Sequence, residues 1–176
     1  MKGCIIGFMH EASPQTTSNT VRLWSTGRPE IWKNTDRLKA NAFGFYSLNG
    51  SSVIEFMEHS RKEDVCQFLQ SVRAANPSGH LIIVLDNFNS HKAKATLALA
   101  ARLDIEMVFL PPYSPDLNPI EFIWKSIKRI ISTRFMENLA MMKETIATAY
   151  SKLSVSLGFA SYWIRDYLGG SISNIS

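Results

Sequence analysis

Three short stretches of this 176-residue chain carry side chains that could do polar chemistry together. His10-Glu11 follows the apolar run Cys4-Ile5-Ile6-Gly7-Phe8-Met9. Asp86-Asn87 follows a second apolar run, Leu81-Ile82-Ile83-Val84-Leu85. Asn118-Pro119-Ile120-Glu121 stands at the exit of the proline-rich stretch Pro111–Pro119. Short, wholly apolar runs mark strands buried on both faces. Open α/β sheets build their sites outside the carboxyl ends of such strands. If the two strands are neighbours, His10 and Asp86 lie side by side at one sheet edge. Glu121, Lys125, Lys128 and Ser132 fall on one face of a helix, with Arg129 beside them. An acid followed by a basic stripe suits a metal ligand next to a phosphate track.

Each feature also has a plainer reading. Asp and Asn are common turn residues. Asn118 at the N-cap, Pro119 at the first helical position and Glu121 at the third make a helix start, with Glu121 closing a capping box. An exposed Glu121–Lys125 pair would explain the stripe as solvated surface. Pro111-Pro112-Tyr113 could serve as a proline-rich ligand, or as a rigid loop that positions Glu121. His91 either orients the Asp86 loop or is polar surface. His59 and His80 flank turns and read as surface. Glu11 follows His10, so strand alternation points it to the opposite side.

The remaining pattern predicts the elements that would position these residues. Val21–Trp24 alternates as a strand, ended by Gly27-Arg28-Pro29. Residues 39–48 and 52–58 read as strands joined by a two-residue Asn49-Gly50 hairpin turn. Helical spacing runs through 61–75, 91–103, 120–134, 138–153 and 159–168, and a strand through 105–110. Gly169–Ser176 reads as a frayed tail. Strand–helix–strand succession implies right-handed parallel crossovers. The fold class is α/β, a mixed sheet with one antiparallel side and helices packed on it.

Composition narrows the class further. With 45% hydrophobic and 19% charged residues, the chain is neither disordered nor fibrous. A net charge of +4 and a pI near 9.1 are compatible with a polyanion partner. Cys4 and Cys66 fall in no zinc or CxxC spacing, so a reducing, cytoplasmic setting is expected. No apolar run approaches the roughly 18 residues of a membrane span. The apolar stretch after Lys2 is too short for a secretory signal.

Leu85-Asp86-Asn87-Phe88-Asn89-Ser90-His91 resembles the second-acid motif of the mariner-type superfamily of transposases. Leu110-Pro111-Pro112-Tyr113-Ser114-Pro115-Asp116-Leu117-Asn118-Pro119-Ile120-Glu121-Phe122-Ile123-Trp124 resembles its third-acid motif, especially in the insertion-sequence branch. Thirty-four residues separate Asp86 from Glu121, a spacing that superfamily uses. The resemblance covers about residues 3–150. It implies a ribonuclease H-like, five-stranded mixed sheet with helices on both faces. It implies a catalytic (DDE) domain over 1–155, followed by a C-terminal helix and tail over 156–176. The implied reaction is cleavage and transfer of DNA strands during transposition and integration. Three acids would hold two Mg2+ or Mn2+ ions about 3.5–4 Å apart. The implied site comprises Asp86 and Glu121 as metal ligands, with His10 at the first-acid position. Asn87, His91 and Asn118 would support it. The implied partners are DNA, held by Lys125, Lys128 and Arg129, and a second copy of the chain. A nucleoid-associated location follows.

Two departures qualify the match. His10 stands where the first Asp belongs, and imidazole is a poor magnesium ligand. A helix-turn-helix segment precedes the catalytic strands in this family, whereas this sequence starts at the first of them. The end-recognising part is therefore expected to be missing or encoded elsewhere. The sequence supports three functions: an impaired DNA-cutting domain, an inactive remnant with weak DNA or metal binding, and a non-enzymatic module using the proline loop.

Overall fold

The computed structural model describes residues 3–17, 26–27 and 32–169. The strand expected at Val21–Trp24 lies outside them, as do residues 170–176 of the expected tail. Five strands, β1 (Cys4–Ala12), β2 (Ala42–Ser47), β3 (Val53–Phe56), β4 (His80–Leu85) and β5 (Ile105–Phe109), form one sheet in the order β3-β2-β1-β4-β5. β1 pairs antiparallel with β2 and parallel with β4, and β4 pairs parallel with β5. This is the mixed sheet that the strand pattern required. The helices are α1 (Lys62–Ala75), α2 (Lys94–Arg102), α3 (Ile120–Ser132), α4 (Leu139–Leu153) and α5 (Ser161–Tyr167).

Strand alternation divides the core in two. Ile6, Phe8, Tyr46 and Val84 point to one face, where α3 and α4 bring Ile120, Ile123, Trp124, Ile127, Ile146 and Tyr150. Met9, Phe43, Phe45, Leu81, Ile83 and Leu85 point to the other, against Val65, Phe68, Leu69 and Val72 of α1 and Ala100 of α2. Each such fully buried side chain stabilises the fold by roughly 1.5–3 kcal/mol before entropy is counted. The segment carrying α5 joins the first layer, with Trp163 edge-on to Phe8 at 4.9 Å between ring centroids.

Gly44 sets how closely α3 can approach. It lies opposite His10 in the β1–β2 register. A Cβ there would come within 2.7 Å of the Trp124 ring and 3.0 Å of the Tyr150 ring. Lacking one, β2 lets the buried indole of α3 rest on the sheet beside His10.

Three expectations need correction. First, β1 does not end at His10-Glu11 but runs on to Ala12. β2 stays paired with it as far as Ala12, past the end of β4 at Leu85, so His10 and Glu11 lie within the strand. Second, Asn49-Gly50 is not a two-residue turn. Ser47 is followed by the five residues 48–52 before β3, and neither Asn49 nor Gly50 has the positive φ of a type I′ turn. The Asn49 side chain is engaged elsewhere: its Oδ1 accepts from Ile6 N at 3.0 Å and its Nδ2 donates to the Cys4 carbonyl at 2.8 Å. Third, Ser132 is not on the exposed stripe of α3. It is buried, and its hydroxyl donates to the Arg129 carbonyl.

Candidate active site

Strand order brings the first two stretches together. β1 and β4 are hydrogen-bonded neighbours running the same way, so His10 and Asp86 come to the same end of the sheet. His10 shares the parity of Ile6 and Phe8 and therefore faces α3. Glu11 has the opposite parity and faces the α1–α2 layer.

Glu121 reaches the same place from α3. No side chain caps this helix. Asn118 is extended, and helical dihedrals begin at Pro119. Asn118 is buried and turns its Nδ2 to the Met9 carbonyl of β1, at 3.3 Å, instead of to its own helix. The capping box is therefore absent, and the Glu121 carboxylate goes to His10. Among the described residues no ion pair joins Glu121 to Lys125.

The result is a chain of five ionisable groups. Glu121 Oε1 lies 3.0 Å from His10 Nε2, and His10 Nδ1 lies 3.5 Å from Asp86 Oδ2. The second distance marks an electrostatic contact more than an aligned hydrogen bond. Asp86 Oδ1 lies 3.0 Å from His91 Nδ1, and His91 Nε2 lies 2.7 Å from Glu11 Oε1. Glu11 thus points away from His10, as alternation required, yet joins the site through His91. His91 is fully buried, so its surface reading fails and it orients the Asp86 loop. Asn87 fastens that loop to the next one by donating to the Leu110 carbonyl.

Both imidazoles face a carboxylate at each nitrogen. Ionised carboxylates only accept hydrogen bonds, so the doubly protonated ring satisfies both contacts. Burial opposes charge on His10, but Asp86 and Glu121 outweigh it and lift its pKa to about 9. Burial likewise opposes charge on His91, and Asp86 and Glu11 raise it to about 9. The close contacts of His10 and His91 hold Asp86 far below the usual carboxylate range. Burial pushes Glu121 up, while His10 and the charge of Lys128 pull it down, and the downward pull prevails. Three carboxylates and two imidazolium rings leave one net negative charge.

On α3, Lys125 and Arg129 are exposed and Lys128 is half-buried. A groove of about 350 Å³ runs from Asp86 and Glu121 along the proline loop. His59 is exposed, as expected. His80 opens β4 and pairs with Asp104 at 2.7 Å and Glu106 at 3.3 Å, remote from the site's acids in the strand register.

The family model for the DDE superfamily endonucleases matches residues 8–143, a span holding His10, Asp86 and Glu121. The chain belongs to that family. Among solved structures, this DDE domain is similar to a Mos1 transposase paired-end complex with the left transposon end. The identity is 18%, the TM-score 0.63, and the match covers 83% of this chain and 47% of that one. It is also similar to the Mos1 transposase catalytic domain with Raltegravir and Mn, at 16% identity and a TM-score of 0.62, covering 83% and 70% of the two chains. These likenesses show the ribonuclease H-like fold. The uncharacterized protein y4pE/y4sA of Sinorhizobium fredii is 29% identical over 82 residues, 46% of this chain and 58% of that protein. The DDE domain thus spans under two thirds of that relative's length.

Divalent metals are used in this family, and the donor set tests whether the usual centre fits here. A two-metal centre needs a carboxylate shared by both ions, and hard cations such as Mg2+ take oxygen ligands. His10 supplies nitrogen where the resemblance would place that carboxylate, and both its nitrogens already face carboxylates. Among the described residues no group of three or more His, Cys, Asp or Glu side chains is arranged to hold a metal ion. The residues do not fit a two-metal centre.

Proposed function

We propose that this chain is a transposase-type domain that binds DNA and in which strand cleavage and transfer are disabled at His10. The observation carrying this reading is the imidazole lodged between Asp86 and Glu121, at 3.5 and 3.0 Å. A positively charged ring between two acids partly neutralises the charge that would attract a cation. It also removes the carboxylate that two ions would share. Asp86 and Glu121 retain the oxygen donors for one ion, and a His10 ring that has given up a proton would favour Mn2+ over Mg2+. We assign the function to residues 1–155, with the segment from 156 onward completing the core through Ala160, Trp163 and Ile164.

DNA binding is assigned to Lys125, Lys128 and Arg129, which follow Glu121 along α3. The likeness to a Mos1 complex with a transposon end supports DNA binding in general, and the choice of these three residues rests on their place along α3. Contacts of this kind read phosphate, not sequence. The reading carries with it a cytoplasmic, DNA-associated location and pairing of two copies on DNA. The non-enzymatic alternative gains nothing from the fold, because Pro111 and Pro112 line the groove beside the acids.

The experiment compares cleavage of pre-nicked DNA by the wild type, His10→Asp, and His10→Asp combined with Glu121→Gln. The wild type is expected to cut negligibly with Mg2+ and slightly at best with Mn2+. His10→Asp is expected to gain Mg2+-dependent cleavage that the double variant loses. Robust Mg2+-dependent cleavage by the wild type, abolished by Asp86→Asn, would overturn the reading.

A further inference from the structure

The groove beside the acids has a lining that its acids alone do not explain. Besides Asp86 and Glu121 it is walled by Phe88, Leu110, Pro111, Pro112, Tyr113 and Pro115. Among the described residues no lysine or arginine lines it. A phosphate would meet carboxylates there without a cation, so the occupant that fits is uncharged. The walls are mostly apolar, with Asn87 and Ser114 among them, and carry two exposed aromatic rings. Tyr113 is completely exposed (103%) and Phe88 half-exposed (48%).

The backbone beneath Tyr113 is restricted, and the Phe88 ring is held by packing. Tyr113 has φ 59, a left-handed conformation that a bulky side chain rarely adopts. It sits among three prolines that restrict the loop. Strain of this kind persists only where the surroundings impose it, and it clusters at ligand sites. Phe88 is fixed by the site itself. Its ring packs edge-on against His91 at 5.8 Å, and its N–H donates to Asp86 Oδ1 at 3.1 Å. An apolar ring left in water on a rigid mount is stabilised by whatever covers it.

A second, independent feature lies in the same groove. Asn118 is buried, its Nδ2 donates to Met9, and its Oδ1 has no hydrogen-bond partner among the described residues. A buried unsatisfied acceptor is destabilising. A ligand edge bearing an N–H would relieve it.

A flat, uncharged face with N–H donors along its edge describes a nucleobase freed from its pair. We propose that Tyr113 and Phe88 form a stacking platform for one unpaired base of a DNA strand whose phosphates run along Lys125, Lys128 and Arg129. Aromatic side chains accept any base in this way, because every base has a π-face. The platform rests on the DNA-binding reading above and adds to it a preference for unpaired over paired DNA. It requires no cleavage and survives in a domain that cannot cut.

The test uses the whole chain and two oligonucleotides of equal length, a blunt duplex and a duplex with a short unpaired end carrying the fluorescent base 2-aminopurine. Tyr113→Ala is the informative variant, since this ring is fully exposed and its loss leaves no cavity. Wild type and Tyr113→Phe are expected to bind the unpaired end about tenfold more tightly than the blunt duplex and to quench the probe, tenfold being about 1.4 kcal/mol. Tyr113→Ala is expected to lose the preference and the quenching while binding blunt duplex as the wild type does. Unchanged preference and quenching in Tyr113→Ala would overturn the platform and leave DNA binding standing. Failure of the wild type to bind either oligonucleotide would overturn the DNA reading, and the platform with it.

Discussion

At His10 one imidazole ring separates two acids that would otherwise repel each other, and His91 does the same for Asp86 and Glu11. Both rings carry pKa values raised from 6.5 to about 9 in the folded state. A raised folded value means that the stabilisation is fully present below pH 6.5 and is lost as pH rises through 9. Asp86 behaves oppositely. Its value is lowered from 3.8, so its contribution is present above pH 3.8 and is lost as pH falls further. His80, also raised by Asp104 and Glu106, adds a surface share of the same sign as the buried rings. In a His80→Asn background the melting temperature is therefore expected to fall between pH 6.5 and 9.5, more than in the same background with His10→Gln added. Equal falls would show that His10 is not held as a cation. The His10–Asp86–Glu121 meeting point was legible in the sequence, because two apolar strands and a motif-bearing helix point to one sheet edge. The Glu11–His91 link was not. Alternation placed Glu11 on the far face, and only the path of the loop after β4 shows that His91 reaches around to it.

At the level of elements, the position of Glu121 depends on how α3 sits, and α3 sits on Trp124 over Gly44. Gly44→Ala would drive a methyl group to within 2.7 Å of the indole ring. Overpacking of this kind costs about 1–3 kcal/mol. Urea unfolding is expected to show that loss as a lower midpoint with an unchanged slope. A neutral result would mean that α3 can shift without penalty and that its seating is loose. The parallel strands and long helices followed directly from hydrophobic periodicity. The Asn49-Gly50 connection did not, because the Asn49 amide pairs with β1 and the chain needs a longer loop to return. The start of α3 misled for a related reason: Asn118 had two available partners, its own helix and the Met9 carbonyl, and local sequence favours the nearer one.

Across the whole molecule, the net charge of +4 is modest, and the basic residues after Glu121 concentrate part of it on one helix. Duplex affinity is expected to fall with salt at a logarithmic slope of about −3, near 0.9 per phosphate for three contacts. Lys128→Gln should reduce the slope by about 1, with little dependence on DNA sequence. A slope near zero, or sharp sequence discrimination, would move recognition away from this helix. Among the described residues no helix is long and apolar enough to cross a membrane.

The side chain of Asn49 has a consequence for the ageing of the protein. Asparagine before glycine loses its amide when the following backbone nitrogen attacks the side-chain carbon. In the folded chain the Gly50 N–H is tied to Ser47 Oγ at 2.8 Å, and both ends of the Asn49 amide are held by β1. The reacting groups are therefore restrained until the strands separate. Deamidation at this single position becomes a slow covalent record of unfolding. Stored samples analysed by peptide mass spectrometry should accumulate it in proportion to their time in denaturant. Once formed, the new carboxylate would face the Cys4 carbonyl in place of a donor, so each opening that is recorded makes the next one easier.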